Sequence, residues 1–324
     1  MLHVLEPRSS PSNALLSQTG SFAWWYADAL DDAYNGFVCI WSWGLPFLPG
    51  LASGLRGGTG VPGASRPSFN LAVYENGRPT LYLLQEHDPA NASSGPDTWR
   101  FGHTEIARHG DRFTLDVHAP IPGSDAPLTG RIVVEGAGVS RVTGAPPPAA
   151  ITHGWCPQLG PCTASMDLTH DRESFRYEGR AYADRNQGER PLHDLGIDRW
   201  VWGRATWPDE TRIAYVLWPE GGGAPTSHAI RLTADGEVTV YDAEVRTART
   251  PRTAWGPGTP SRLALTVDGE DFLTLHTRDT VDASPFYTRA VGTGERPGGE
   301  APAMIESCTP RRIDPPWFRP LLGM

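Results

Sequence analysis

Two short steps in this 324-residue chain carry side chains that do proton chemistry. In Gly179-Arg-Ala-Tyr-Ala-Asp-Arg-Asn-Gln-Gly188 a phenol and a carboxylic acid, Tyr182 and Asp184, stand two residues apart, and His153-Gly-Trp155 repeats that spacing upstream. Successive side chains of a strand point to opposite faces, so each pair projects to one face, with Ala181 and Ala183 behind. A carboxylic acid held against apolar and aromatic surface keeps its proton to higher pH and acts as a Brønsted acid near neutrality. Such an acid protonates alkenes. The resulting cation is stabilised by aromatic faces that do not themselves react, and Trp155, Tyr182, Trp200 and Trp202 are candidates. His153 beside the acid would hold its rotamer, restore its proton or, like Tyr182, place the water that captures the cation.

The same residues also have a plainer reading, since strand aspartates near turns often cap backbone amides and paired tryptophans often pack in cores. The rest of the chain offers no rival chemistry. It has no G-x-S-x-G elbow, no P-loop and no H-E-x-x-H. Gly58-Thr-Gly-Val-Pro-Gly63 matches G-x-G-x-x-G, but Pro62 and Pro67 interrupt it and a strand follows where a helix is required, so it reads as a loop. His87, His103, His109 and His118 lack metal-site spacing. Neither a metal nor a cofactor is expected. Cys39, Cys156, Cys162 and Cys308 form no C-x-x-C and read as reduced packing residues.

Stepping outward to the elements, 36 glycines and 31 prolines are spread between short strand-like runs, which argues for many turns and against disorder. The run Ser21 to Ala29 places Trp24 and Tyr26 on one face of a strand, and Phe37 to Trp43 does the same for Trp41 and Trp43. These four, with Trp200 and Trp202, are the expected substrate-binding aromatics. The passage from Gly44 to Pro67 reads as a lid or mouth loop with a short helix around Pro46 to Leu55. Asn76-Gly77 marks a hairpin. The strand bearing Asp184 is expected to stop at the turn-forming Asn186-Gln-Gly188. Strands recur about every 10 residues with no sustained helical period, the mark of an all-β chain in two barrel-like halves. Composition puts the division in the Pro146 to Pro161 region, giving units 1–160 and 161–324 with the active site near their junction.

The net charge is −9 with no basic stripe, which argues against nucleic acid as a partner. No apolar run reaches the ~20 residues of a membrane span, and the first residues lack the order of a signal peptide, so a cytoplasmic location is expected.

The chain resembles the carotenoid 1,2-hydratases, also called hydroxyneurosporene synthases. The resemblance rests on His153-Gly-Trp-Cys-Pro157 with Gly160-Pro161, on Gly179 to Gly188 with Pro191-Leu192, and on Trp200-Val-Trp-Gly-Arg204. Pro67 to Tyr74 and the tail through Trp317-Phe-Arg-Pro320 are similar too. It spans most of the chain, with its specific part between 153 and 204. It implies a cofactor-independent addition of water across the terminal ψ-end double bond of a hydrophobic isoprenoid. Asp184 would be the proton donor, with His153, Trp155 and Tyr182 at functional positions across the cleft. It also implies a lipocalin-like double-calycin fold of two antiparallel β-barrels packed side by side. The basic turn Arg185-Asn-Gln-Gly-Glu-Arg190 departs from the more acidic one expected of hydratases. Cyclisation or cycloaddition of a related substrate on the same fold is one alternative, and a non-catalytic lipocalin-like carrier is another. Drawing a polyene from a membrane would bring the Gly44 to Pro67 passage or the Arg311 to Arg319 tail against its surface.

Overall fold

Turn chemistry and strand alternation build this molecule hairpin by hairpin. Phe22–Leu30 pairs antiparallel with Gly36–Trp43, and Pro67–Glu75 with Arg78–Glu86. The second hairpin turns on Asn76 and Gly77, at φ 50° and 70°. Two left-handed residues in succession match the twist of the flanking strands, which is why Asn-Gly stands there. The computed structural model describes residues 2–7, 9–144, 153–256 and 258–313. Within them the chain is almost entirely strand, in one sheet of thirteen strands and one of ten, curled in the lipocalin-like manner.

The centre of the first sheet is the Glu173–Gly188 strand, hydrogen-bonded to Phe22–Leu30 on one side and to Leu159–His170 on the other. Near its end it also pairs with His153–Pro157. In the second sheet Ile197–Thr206 lies between Glu210–Pro219 and Gly299–Cys308, with Tyr287–Arg296 next in order. Pairing is antiparallel throughout these ladders. Two short edge pairs are parallel: Leu2–Val4 on His153–Pro157, and Arg141–Thr143 on Glu237–Asp242.

Three expectations need correction. A division at 160/161 falls inside a strand, because both strands from 159 to 188 belong to the first sheet; the chain touches the second sheet at Arg141–Thr143, returns, and passes to it again after Gly188. The prolines 146–148 and the strand start at 151 lie outside the described residues. The Asp184 strand does not stop at Asn186, since ladder pairing carries it to Gly188 opposite Phe22. Finally, His153 and Trp155 reach Asp184 from the adjoining strand of the same sheet, not across a cleft.

Burial explains why the central strands read as unbroken apolar runs. Phe22–Leu30 and Gly36–Trp43 are buried on both faces. Their odd face packs inside the first sheet, where Trp25, Trp41 and Trp43 meet Phe69, Trp99 and Phe101. Their even face, with Trp24, Tyr26, Val38 and Ile40, packs against Trp202, Tyr215, Tyr287 and Met304 of the second sheet. A separate core around Val201, Ala214, Leu263 and Leu275 fills the second sheet. The site lies in the layer between the sheets.

Candidate active site

Register alone sets out one wall. On the Glu173–Gly188 strand Tyr182, Asp184 and Asn186 share a face, and opposite them on Phe22–Leu30 stand Asp28, Tyr26 and Trp24 respectively. Directly opposed residues on a shared face have Cβ atoms about 5 Å apart, so these six side chains form two touching rows. Ala181 and Ala183 face the other way, into the first sheet, as the alternation required. Trp155 enters opposite Asn186 from the neighbouring strand.

Hydrogen bonds tie this wall to the acid. Tyr182 Oη and Trp155 Nε1 each donate to Asp184 Oδ2 at 2.8 Å, and Asn186 Nδ2 donates to Oδ1 at 2.8 Å. All three partners are neutral. Oδ2 thus has both acceptor positions filled, and a transferable proton belongs on Oδ1. Burial pushes the Asp184 carboxyl up to about 7; the charges of Glu306 and Asp28 add to this, and the bonds from Tyr182 and Trp155 oppose it. A carboxyl in that range is protonated in a large share of molecules at neutral pH and can act there as an acid.

His153 acts on the acid through an intermediary. Its Nε2 lies 2.8 Å from Asn186 Oδ1. With the Asn186 amide nitrogen committed to Asp184, its oxygen must accept, so Nε2 carries the proton and Nδ1 is a bare acceptor, buried without a partner. Burial pulls the His153 imidazole down to about 4, which leaves it neutral. Its ring packs against Trp24, Trp200 and Tyr215, with centroids 5.7, 5.1 and 6.3 Å away. Asn186 escaped the sequence reading because Asn-Gln-Gly reads as a turn; the signal was the continued two-residue step Tyr182-x-Asp184-x-Asn186.

The opposing wall comes from the second sheet. Trp202 lies opposite Glu306, and Trp200 opposite Cys308, on adjoining strands. The Trp202 ring meets Tyr182 and Tyr26 at 5.5 and 5.6 Å. Polar links cross between the sheets: Arg204 Nε donates to Asp28 Oδ1 at 2.8 Å, and Tyr26 Oη, with its one proton, lies 2.9 Å from Asp28 Oδ2 and 3.1 Å from Glu306 Oε1. Arg289 Nε donates to Glu306 Oε1 at 3.0 Å. Asp28, Arg204, Arg289 and Glu306 were not among the residues expected from sequence. Asp28 continues the Trp24-x-Tyr26 step, whereas nothing local says which face Glu306 takes.

A cavity opens beside this layer. Its outer part, about 230 Å³, is walled by Phe47, Pro49, Tyr82, Leu84 and Phe286. Its inner chamber, about 30 Å³, is bounded by Trp24, Tyr26, Trp200, Glu306 and Cys308. Ile40, Leu45, Phe47 and Tyr287 line both parts. The passage from Gly44 to Pro67 therefore supplies the mouth wall, with its helix at Leu51–Arg56. Of the expected substrate aromatics, Trp24, Tyr26 and Trp200 line the inner chamber, while Trp202 packs in the layer beside it against Tyr26 and Tyr182. Trp41 and Trp43 do neither: the odd positions of their strand point into the first sheet, against Phe69 and Phe101. All four cysteines are free and buried. Among the described residues no group of His, Cys, Asp or Glu is arranged to hold a metal ion, and no helix is long and apolar enough to cross a membrane.

Fold and site together define an all-β, lipocalin-like protein that encloses a buried carboxyl among indoles and phenols. The model of the carotenoid hydratase CrtC family matches residues 62–324, and the chain belongs to that family, an enzyme of the hydro-lyase type. It is 30% identical over 317 residues to an acyclic carotenoid 1,2-hydratase of Thiocapsa roseopersicina, covering 96% of this chain and 74% of that protein. An acyclic carotenoid 1,2-hydratase of Rubrivivax gelatinosus is 26% identical over 283 residues, covering 84% and 64% respectively. The fold is shared with the crystal structure of kievitone hydratase from Nectria haematococca, at a TM-score of 0.54 and 12% identity over 92% of this chain and 93% of that one. The family match begins after the Phe22–Leu30 strand, so Trp24, Tyr26 and Asp28 complete the site from outside the matched span.

Proposed function

We propose that this enzyme adds water across the terminal C1=C2 bond of an acyclic carotenoid ψ-end, without a cofactor, using Asp184 as the acid. The observation that carries this reading is a buried carboxyl pushed up to about 7, surrounded by neutral donors and facing an aromatic layer beside an apolar cavity. The names of the hydratase relatives support the substrate class. The polyene would lie along the outer cavity with its end at the inner chamber. Asp184 lies behind that chamber, across the ladder from Tyr26, so the wall side chains must yield as the chain end enters.

Protonation at C2 puts the charge on the more substituted C1. Trp24, Trp155, Trp200 and Tyr182 present ring faces to a tertiary cation there, each worth about 1–2 kcal/mol in a desolvated site. Water adds at C1 and a tertiary alcohol forms. Burial of Asp184 speaks against a pure carrier, which has no use for a desolvated acid. Expression in cells that accumulate lycopene, grown with ¹⁸O-labelled water, tests the reaction. A product heavier by one labelled water supports hydration, and a product isomeric with the substrate means cyclisation. Drawing the substrate from a bilayer belongs to the same proposal, because exposed Tyr82 stands at the cavity mouth beside Phe47 and Phe286. Flotation with carotenoid-loaded liposomes tests that part, and no co-flotation would remove it.

A further inference from the structure

We propose that Glu306 holds the water that attacks the cation and takes its proton, a role that rests on the hydration reading and adds a second carboxylate to it. When Asp184 carries its proton, Oδ2 accepts from Tyr182 and Trp155, and Oδ1 accepts from Asn186 while bearing the O–H. Until that proton is transferred all four positions on the carboxyl are in use and none accepts from a water. A water held ready before the cation forms needs another acceptor.

Glu306 is the carboxylate that lines the inner chamber, among Trp24, Tyr26, Ile40, Leu45 and Trp200. At about 30 Å³ that chamber has room for one or two waters, since a water needs roughly 10–15 Å³ of such space. Glu306 Oε1 is anchored by Tyr26 Oη at 3.1 Å and Arg289 Nε at 3.0 Å, and Arg289 also donates to Tyr74 Oη at 2.9 Å. Those bonds hold the carboxylate on the second sheet while the acid is held on the first. The Tyr26 and Tyr182 rings pack on each other and both meet Trp202, Tyr182 bonding the acid and Tyr26 the second carboxylate. Asp184 is ringed by neutral donors, whereas Glu306 is paired with the Arg289 guanidinium. His153 Nδ1 is the rival acceptor, but its ring sits behind Trp24 and Trp200, which form the chamber wall.

The step balances. The Asp184 O–H bond breaks as C–H forms at C2; the water oxygen bonds to C1, and one water proton passes to the Glu306 carboxylate. Glu306 then releases that proton to water and Asp184 takes one up, so the net change is addition of one water.

The test separates protonation from capture. Full-length enzyme and an acyclic ψ-end carotenoid in detergent micelles are incubated in D₂O for exchange at C2, and in ¹⁸O-water for alcohol formation. Glu306→Gln keeps the acceptor for Tyr26 and Arg289 but cannot take a proton. It is expected to lower ¹⁸O incorporation about 10²-fold while C2 exchange continues, because the cation still forms and returns its proton to Asp184. Glu306→Asp, which keeps the charge, should recover part of the ¹⁸O incorporation. Unchanged capture in Glu306→Gln, or equal loss of exchange and capture in a folded Glu306→Gln, overturns the proposal. So does finding the split in His153→Phe instead. Exchange that persists in Asp184→Asn sinks the acid assignment itself, a separate result.

Discussion

Asp28 and Asp184 stand on adjacent strands of one sheet, on the same face, each almost wholly buried and each accepting from the tyrosine two residues before it. They differ in their other partners. Asp28 is paired with the Arg204 guanidinium of the second sheet, while Asp184 receives only Tyr182, Trp155 and Asn186. Burial raises both carboxyls and outweighs what opposes it at each; at Asp28 the opposition comes first from the Arg204 cation and its hydrogen bonds, at Asp184 from the neutral donors Tyr182 and Trp155. The same residue type on the same wall is thus ion-paired across the sheets in one case and, in the other, left among neutral donors as the proposed proton donor. Charge neutralisation, more than depth, separates the two roles.

The largest break of this comparison is Asp184→Asn. It keeps shape and hydrogen bonds, cannot supply the proton, and should lower turnover by about 10³-fold or more; circular dichroism should show the native fold, and near-native turnover would refute the assignment. Asp28→Asn should do the reverse. Leaving Arg204 buried without its counter-charge should cost about 3–5 kcal/mol in urea unfolding, with turnover per folded molecule within about tenfold of the parent. A paired Asp28→Leu, Arg204→Met variant should recover most of that loss, since breaking the pair costs more than replacing it.

Asn186→Ala tests the link between His153 and the acid. Both His153 Nε2 and Asp184 Oδ1 lose a buried partner, and a loss of about 1–3 kcal/mol in transition-state stabilisation lowers kcat by roughly 10- to 100-fold. An unchanged kcat would leave His153 with a packing role alone.

A further comparison is of stability against pH. Folded Asp184 keeps its proton to about pH 7, whereas an unfolded aspartate loses it near pH 4. Between those values the folded state binds the extra proton, so this stabilisation is complete below about pH 4 and is lost as pH rises through 7. The Asp184→Asn variant lacks this dependence. The difference in melting temperature, variant minus parent, should therefore rise from pH 4 to 7 and level off above. Initial rates of the parent should fall above the same pH as the acid ionises. A flat difference would show that Asp184 is ionised in the fold.

The two-residue step was legible wherever it carried through: Tyr182 with Asp184, His153 with Trp155, Trp24 with Tyr26 and Trp200 with Trp202 all share faces as alternation demands. It could not say which of the two faces met the other sheet. Trp41 and Trp43 obey the same step and point the wrong way, because their strand is buried on both sides and hydrophobicity gives no sign of direction. The division of the chain failed for a related reason. Prolines and glycines mark where a strand ends, whereas sheet membership depends on pairing with Phe22–Leu30, some 150 residues away in the chain.

Sequence by itself determined the local terms: an all-strand chain, its tight turns, an acid with a phenol beside it, and a family resemblance centred on 153 to 204. Those follow from backbone sterics and from contacts within a few residues. Tertiary structure decided the chemistry's surroundings. Only the closing of one sheet on the other desolvates Asp184, gives Arg204 to Asp28 and brings Glu306 to the chamber, because burial and charge pairing are set by residues distant in sequence.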